Sequence, residues 1–242
     1  MNDTPANRSP RRYSLTYRGI AGVVKPLLAL VSGKDWRGME RLPREGGVIV
    51  AANHVSLLDP VTTAHSLYDN GAPPRIMAKA ELFRVPILGR LLRGSGQIPV
   101  HRNTRNAADS LEGARRALAA GECVLIFPEG TLTLDPDGWP MVARTGVARL
   151  ALTSGAPVVP VAQWGASTLL PPRAKLPRLL PRTRMQVLVG EPVDLGDLVG
   201  RTDAAALTEA TARIMGAITA QLVQLRGGEP PVTPFDRRAA GL

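Results

Sequence analysis

The chain alternates short apolar runs with segments of helical periodicity, and this alternation constrains its fold more than any other feature. The runs 47–52, 123–127 and 158–164 have the length and the apolar content of buried strands. Segments such as 106–120 and 203–225 repeat their apolar residues at helical spacing. Strands that alternate with helices favour an α/β fold in which helices cover a mostly parallel central sheet.

The 242 residues suffice for one hydrophobic core, so we predict a single domain over 34–226. A basic amphipathic segment precedes it over 1–33, and a flexible tail rich in Gly and Pro follows over 227–242. The segment 11–31 mixes cations with apolar residues and is expected to break near Pro26. It fits two interpretations equally, a membrane-interface helix or a helix that docks on the core.

The predicted elements are the strands 47–52, 75–79, 97–100, 123–127, 158–164 and 184–189 and the helices 60–68, 106–120, 145–152 and 203–225. Pro160 lies inside one of these strands, although proline removes a hydrogen bond from a central strand. We therefore expect a bulge or a sheet edge at Pro160, lining a substrate site. The stretch 170–182 is predicted to be a loop, because it is rich in Pro and Arg.

The formal net charge is +10, from 30 Lys and Arg against 20 Asp and Glu. Such a charge indicates an anionic partner: nucleic acid, an anionic bilayer surface or a phosphorylated small molecule. A second basic cluster surrounds the predicted loop and comprises Arg173, Lys175, Arg178, Arg182 and Arg184. Composition alone does not separate the three classes of partner.

Two further sequence patterns indicate the cellular compartment of the protein. The single cysteine, Cys123, excludes an intramolecular disulfide and lies in an apolar run, where it is expected to be a small buried hydrophobe. No window holds the ~18 apolar residues of a spanning helix, and no signal-peptide core begins the chain. We expect a protein that is neither exported nor membrane-spanning and that faces the reducing cytosol.

The first apolar run ends directly before Asn53, His54 and, five residues after the histidine, Asp59. A turn into the next helix can return the Asp59 carboxylate to the imidazole, leaving the other ring nitrogen as a base for an alcohol. The alternative is that Asn53 and Asp59 are ordinary turn and capping residues beside an exposed histidine. Spacing alone favours this second interpretation.

Four sequence blocks, in order, decide between these interpretations. They are Asn53-His54-x-x-x-x-Asp59, the stretch 96–102 that ends in His101-Arg102, Phe127-Pro128-Glu129-Gly130-Thr131, and Val158-Val159-Pro160-Val161. Together they resemble the glycerolipid acyltransferase family, which includes glycerol-3-phosphate and 1-acylglycerol-3-phosphate acyltransferases. The flanking stretch 77–83 is also similar to the family, and the resemblance spans residues 53–161.

The resemblance implies that His54 is the base that deprotonates the acceptor hydroxyl and that Asp59 orients it. The hydroxyl then attacks the thioester directly, so no acyl-enzyme is expected. By the same resemblance Arg102 holds the acceptor phosphate, an arrangement that suits a guanidinium. The remaining substrate-binding residues that it implies are Lys79, Glu129, Gly130, Thr131 and Arg144. Glu129 would repel a phosphate, so we expect it to anchor Arg102 or another cation.

Two departures from the family pattern bear on the acceptor. Leu132-Thr133 follows the third block, where many members have arginine and serine, so one cation is absent. Arg144 stands where lysine is frequent, which keeps the charge but changes its hydrogen-bond geometry.

The resemblance therefore implies a peripheral, monotopic enzyme at the cytoplasmic face of the cell membrane. It would transfer a fatty acyl chain from acyl-CoA or acyl carrier protein to 1-acylglycerol-3-phosphate, giving phosphatidic acid. The expected partners are an anionic membrane surface, a lysophospholipid acceptor and an acyl thioester donor, with no metal and no cofactor. Alternatives are acylation of glycerol 3-phosphate or another lysophospholipid and, more distantly, a non-catalytic protein that binds lipid or nucleic acid. Nucleic acid is not expected, because aromatic residues are only 4% of the chain.

Overall fold

The structure is a computed structural model that describes residues 14–101, 107–172, 174 and 176–241. In this part of the chain, seven strands form one sheet. They are β1 (Ser32–Arg37), β2 (Val48–Ala52), β3 (Pro74–Lys79), β4 (Ile98–Val100), β5 (Cys123–Ile126), β6 (Val158–Trp164) and β7 (Thr183–Val189). The α-helices are α1 (Leu15–Val31), α2 (Asp59–Asp69), α3 (Pro86–Gly94), α4 (Ala107–Ala119), α5 (Gly146–Ser154), α6 (Ala166–Leu169) and α7 (Ala204–Arg226). Short 3₁₀ helices cover Met39–Arg41, Ala80–Arg84 and Gly196–Leu198.

The strand order across the sheet is β1-β7-β6-β2-β5-β3-β4. Neighbouring strands are parallel except β6 and β7, so β2 to β6 run in one direction and β1 and β7 in the other. The predicted α/β class, with a mostly parallel sheet and flanking helices, is confirmed. The loops that follow β2 to β6 share one edge of the sheet, called here the carboxyl edge, where α/β folds keep their ligand sites.

Helices cover both faces of the sheet, which explains the continuous apolar runs. Ile49 and Ala51 of β2 pack in a cluster with residues of α4, α5 and α7. Val48 and Val50 face the other way, into a cluster that includes Leu67 of α2 and Cys123. All five residues of β2 are fully buried, and each buried Val or Ile contributes about 1.5–3 kcal/mol. The expectation that Cys123 is a buried hydrophobe is confirmed.

Pro160 lies in an interior strand and not at a sheet edge, which contradicts the expectation of a bulge or an edge. The register of β6 with β2 continues without interruption through the pair Ala51 and Pro160. The Pro160 carbonyl accepts a hydrogen bond from Gly190 N at 2.9 Å, just after β7 ends. Because the N and C=O of a strand residue point to the same neighbour, the missing N–H faces the end of β7 and the ladder with β2 loses nothing.

Helix α1 continues through Pro26, where the sequence predicts a break. Proline lacks the N–H that would reach the Gly22 carbonyl, but both residues are exposed, so solvent can satisfy that carbonyl. Other contacts hold the helix in place. The Ser14 side chain accepts from Tyr17 N at its start, Tyr17 stacks on Tyr68 of α2 at 5.8 Å, and Lys25 Nζ lies 2.6 Å from Asp69 Oδ1.

Two observations concern the ends of the chain and its relation to a membrane. No helix in the described part of the chain is both long and apolar enough to cross a bilayer. Residues 227–241 form neither helix nor strand, and the Phe235 carbonyl accepts a hydrogen bond from Val142 N at 3.0 Å. The flexibility of this tail stays a prediction.

Candidate active site

The turn after β2 brings His54 and Asp59 together at the carboxyl edge. His54 Nδ1 lies 2.9 Å from Asp59 Oδ2, and the same oxygen accepts from Val55 N at 2.5 Å and Ser56 N at 2.6 Å. If Nδ1 carries the proton that Asp59 accepts, Nε2 keeps its lone pair. The two interpretations of the sequence are therefore compatible, because Asp59 organises the turn and orients the imidazole with one oxygen.

Burial sets the electrostatics of Asp59, whose side chain is fully buried. Burial raises the pKa of this carboxyl above its usual value, and hydrogen bonds from His54, Ser56 and Val55 oppose the rise. Asp59 is also the first residue of α2, where the helix dipole favours a negative charge. Among the described residues, its second oxygen, Oδ1, has no hydrogen-bond partner.

The backbone of His54 is held on both sides by the loop that follows β5. His54 N donates to Glu129 Oε1 at 3.2 Å, and the His54 carbonyl accepts from Thr133 N at 2.7 Å. The His54 ring stacks on Phe127, with 4.3 Å between the ring centres. The two loops therefore lock together around the imidazole and leave it partly exposed.

Glu129 connects two loops through the backbone in the described part of the chain. Its second oxygen, Oε2, accepts from Met141 N at 3.0 Å, so the carboxyl bridges two backbone amides. Within the described residues it forms no ion pair. The expected contact with Arg102 stays a prediction, because Arg102 lies outside these residues. The side chain is almost completely buried, and both of these hydrogen bonds come from backbone amides.

The pKa of Glu129 is raised to about 8, first of all because the carboxyl is buried. The two backbone hydrogen bonds lower it, whereas the nearby carboxylates of Asp59 and Asp135 raise it further. At neutral pH this group is therefore largely protonated. A neutral Glu129 adds little negative charge beside the His54–Asp59 pair.

The turn 127–130 brings the other residues of the third block to the same edge. Gly130 N donates to the Phe127 carbonyl at 2.9 Å, and Gly130 has φ of 73°, a conformation that favours glycine. A Cβ at Gly130 would lie 3.5 Å from Arg144 Cδ and Nε, so the Arg144 side chain extends over the glycine. Arg144 N also donates to the Pro128 carbonyl at 3.0 Å. The structure thus brings Gly130 and Arg144 together.

The remaining predicted residues are distributed along the edge. Thr131 is half-buried beside Gly130, and Lys79 is exposed at the end of β3, which neighbours β5. Arg102, together with Arg173 and Lys175 of the basic cluster, lies outside the described residues. Direct hydrogen bonds therefore join His54 to Asp59 and to Glu129. Lys79 lies at the end of β3, the strand next to β5.

A buried amide pair holds the start of the turn, and sequence reasoning missed it. Asn53 Oδ1 accepts from Gln163 N at 2.9 Å, Asn53 Nδ2 donates to the Gln163 carbonyl at 3.1 Å, and Gln163 Nε2 donates to the Asn53 carbonyl at 3.3 Å. Gln163 is fully buried. The available signal was its position, because a polar residue within a strand predicted to be buried needs a partner.

Arg226, at the end of α7, packs against the loop 131–142. Sequence reasoning did not predict this contact. The Arg226 guanidinium lies 4.5 Å from the Trp139 ring centre and 4.2 Å from that of Trp164. Arg226 Nη1 donates to the Asp137 carbonyl at 2.6 Å, and Thr133 Oγ1 donates to the Trp139 carbonyl at 2.7 Å. Cation–π contacts of this kind contribute about 0.5–2 kcal/mol each. They fix the segment that donates to the His54 carbonyl.

An apolar cavity of about 340 Å³ lies between α1, α2, α3 and β3. Pro60 and Val61, directly after Asp59, line it, and so do the stacked rings of Tyr17 and Tyr68 at the other end of α2. His65 lies in its wall, and burial lowers the pKa of this histidine. The cavity thus extends along α2, the helix that begins at the catalytic candidate Asp59.

Known proteins share this sequence pattern and fold. A family model described as Acyltransferase matches residues 35–164. A 1-acyl-sn-glycerol-3-phosphate acyltransferase of Bacillus subtilis is 29% identical over 214 residues, which are 86% of this chain and 100% of that protein. The enzyme of the same name from Borreliella burgdorferi is 31% identical over 131 residues, 54% of this chain and 50% of that protein.

The crystal structure of the 1-acyl-sn-glycerophosphate acyltransferase from Thermotoga maritima has a similar fold. It matches with a TM-score of 0.64 at 24% identity, over 88% of this chain and 81% of the other.

Proposed function

We propose that this chain, which belongs to the glycerolipid acyltransferase family, acylates 1-acylglycerol-3-phosphate to give phosphatidic acid. The observation that carries the proposal is the 2.9 Å contact between the partly exposed His54 and the buried Asp59 at the carboxyl edge. The relatives from Bacillus subtilis and Borreliella burgdorferi are named for this acceptor, which supports its choice. A thioester, either acyl-CoA or acyl carrier protein, is the proposed donor.

In the proposed mechanism, His54 Nε2 removes the proton of the acceptor hydroxyl while that oxygen attacks the thioester carbonyl carbon. The C–S bond of the tetrahedral intermediate then breaks, and the leaving thiolate takes the proton from His54. Asp59 holds the ring by Nδ1 and stabilises the imidazolium that forms between the two steps. No acyl-enzyme is needed, and Cys123, the single cysteine, is buried in the core and not at the site.

The acceptor phosphate needs cations beside the base. Arg144 over Gly130 and Lys79 at the end of β3 lie at the carboxyl edge, and the family pattern adds Arg102. A guanidinium can hold a phosphate monoester by two parallel hydrogen bonds, which fixes the distance of the adjacent hydroxyl from the base. Thr131 can donate a further bond.

An acyl chain requires an apolar site, and the cavity along α2 offers one. Its lining includes Ile20, Val24, Val61 and Leu88, and it extends from the first turn of α2 toward Tyr68. Burial of methylene groups there stabilises the bound chain by up to about 0.8 kcal/mol per group. We propose that the cavity takes the chain of the donor.

A lipid acceptor places the enzyme at a membrane surface. The net charge of +10 suits an anionic leaflet, and Leu15, Val23, Leu27 and Leu30 of α1 are exposed apolar residues. We propose peripheral, monotopic binding at the cytoplasmic face of the cell membrane.

The test is an assay of free thiol release with purified protein, one thioester donor at a time and a panel of acceptors. Acyl-CoA and acyl carrier protein serve as donors, and the acceptors are 1-acylglycerol-3-phosphate, glycerol 3-phosphate and other lysophospholipids. Turnover that is fastest with 1-acylglycerol-3-phosphate is expected. A clear preference for another acceptor would reassign the substrate, and thiol release that does not depend on any acceptor would refute acyl transfer.

A further inference from the structure

Exposed leucines cluster in the loop between α6 and β7, at the carboxyl edge. Leu176 and Leu180 are 78% and 85% exposed, and Leu179 between them is 52% exposed. The last turns of α1 add Leu27 and Leu30, which are exposed as well. Single exposed leucines are ordinary, but a group of them on one side of a protein indicates a surface that binds something.

Arginines accompany these leucines. Arg178 and Arg184 are exposed, and in the part of the chain that the structure describes neither forms an ion pair. No acidic residue occurs between Gly165 and Gly190 in the sequence. The loop therefore presents apolar side chains and positive charge together, and Asp35 on the neighbouring strand β1 is the acidic residue whose pKa the charge of Arg184 helps to lower. We name residues 176–184 with Leu27 and Leu30 the leucine–arginine surface.

Hydrogen bonds connect this surface to α1 and to the catalytic turn. Arg182 Nη2 donates to the carbonyls of Ala29 at 2.6 Å and Ser32 at 3.0 Å, which joins the loop to the end of α1. Ser56 Oγ donates to the Leu170 carbonyl at 2.8 Å, which joins the start of the loop to the turn between His54 and Asp59. The leucine–arginine surface and the candidate active site thus lie on the same edge of the sheet.

We propose that the leucine–arginine surface docks onto an anionic lipid bilayer, with the leucines among the acyl chains and Arg178 and Arg184 at the lipid phosphates. Leucine offers nucleic acid neither a hydrogen bond nor a stacking ring, whereas the mixture of leucine and arginine matches both layers of a membrane interface. The choice of a bilayer rests on the proposed function, because an enzyme with a lipid acceptor needs its active site at the membrane. The docking makes this loop, and not α1 alone, the membrane contact.

The test compares variants in their binding to vesicles of phosphatidylcholine with and without phosphatidylglycerol. The triple variant Leu176→Ser, Leu179→Ser, Leu180→Ser should bind the anionic vesicles on the order of tenfold or more weakly. The pair Arg178→Gln, Arg184→Gln should weaken binding to anionic vesicles and leave binding to pure phosphatidylcholine unchanged. Because all five side chains are exposed, the variants should keep the circular dichroism spectrum of the wild type.

A matched control separates this surface from general hydrophobicity. Val199 is 52% exposed, as Leu179 is, but it follows the 3₁₀ helix Gly196–Leu198 at the opposite edge of the sheet. Leu179→Ser alone should weaken binding, whereas Val199→Ser should not. Equal binding by the triple variant and the wild type would overturn the proposal. The proposal would also be overturned if the wild type bound duplex DNA as strongly as it binds anionic vesicles and the triple variant lost that binding to DNA.

Turnover of a short-chain, water-soluble 1-acylglycerol-3-phosphate without vesicles distinguishes this proposal from the proposed function. The triple variant should match the wild type in that assay. If the wild type turns over no acceptor but the triple variant loses vesicle binding, the docking surface stands and the proposed function fails. If turnover occurs and vesicle binding is unaffected by the triple variant, the docking proposal fails alone.

Discussion

Replacement of Glu129 by glutamine should change how stability depends on pH. The pKa of Glu129 is about 8 in the folded protein and close to 4.5 in an unfolded chain, so the folded state retains a proton that the unfolded state releases. The stabilisation from this proton is complete below about pH 4.5 and is lost as pH rises toward 8. The slope is about 1.4 kcal/mol per pH unit, and the rise from 4.5 to about 8 corresponds to roughly 5 kcal/mol at most.

Glutamine cannot titrate, so the variant lacks this slope. It also accepts with one oxygen only, although the two glutamate oxygens accept from His54 N and Met141 N. One buried amide therefore loses its acceptor, which costs about 1–3 kcal/mol. Glu129→Gln should be less stable than the wild type at pH 5, and the difference should shrink or reverse by pH 8.

Urea unfolding at several pH values between 5 and 8 measures this difference. Glu229→Gln is the control, since Glu229 is exposed and makes no comparable contact in the structure. A difference in unfolding free energy between wild type and Glu129→Gln that stays constant over this range would refute the reasoning. The other titrating groups contribute equally to the pH dependence of the unfolding free energy in both proteins, so their contributions largely cancel in the difference.

Four further predictions concern the reaction. His54→Ala should lower kcat by roughly 10²–10⁴-fold with an unchanged fold, and full residual turnover would exclude His54 as the base. Asp59→Asn keeps an oxygen at the position of Oδ2, and its NH2 group replaces Oδ1, which has no hydrogen-bond partner among the described residues. The fold should therefore persist while kcat falls. An unchanged kcat would show that the negative charge of Asp59 is not needed. Arg102→Ala should raise the KM for the acceptor about tenfold and leave the KM for the donor unchanged. An equal rise in both KM values would exclude a role that is specific to the acceptor phosphate. Ala64→Trp should fill the cavity and lower kcat/KM for long acyl donors more than for short ones, whereas equal losses would remove the cavity from donor binding.

The fold class could be predicted because strands buried on both faces must be apolar throughout, which is a local property of the sequence. Three elements, β1, α3 and α6, were missed, and for β1 the reason is related. β1 contains Lys34, Asp35 and Arg37 and lies at the edge of the sheet, where polar side chains stay in water. Its pairing with β7 joins residues about 150 positions apart, as Ser32 with Thr183, and no local pattern encodes such a partner.

Residue types and short spacings in the sequence predicted part of the candidate site. His54 and Asp59 are five residues apart, so a single turn can join them, and the structure contains that contact. The role of Glu129 could not be derived in this way. A glutamate after a strand is normally charged and solvated. The burial that raises the pKa of Glu129, and its contacts with the amides of His54 and Met141, arise only in the folded chain.

The sequence by itself determined which groups can act as base, orienting acid and phosphate ligand, because those properties belong to the side chains. Tertiary structure alone decided what holds them in place. Glu129 meets His54 across 75 residues, and Gln163 meets Asn53 across 110, since parallel strands deliver their following loops to the same edge. Burial at that edge then sets the protonation of each carboxyl, because removal from water acts on a charge only once the chain has folded around it.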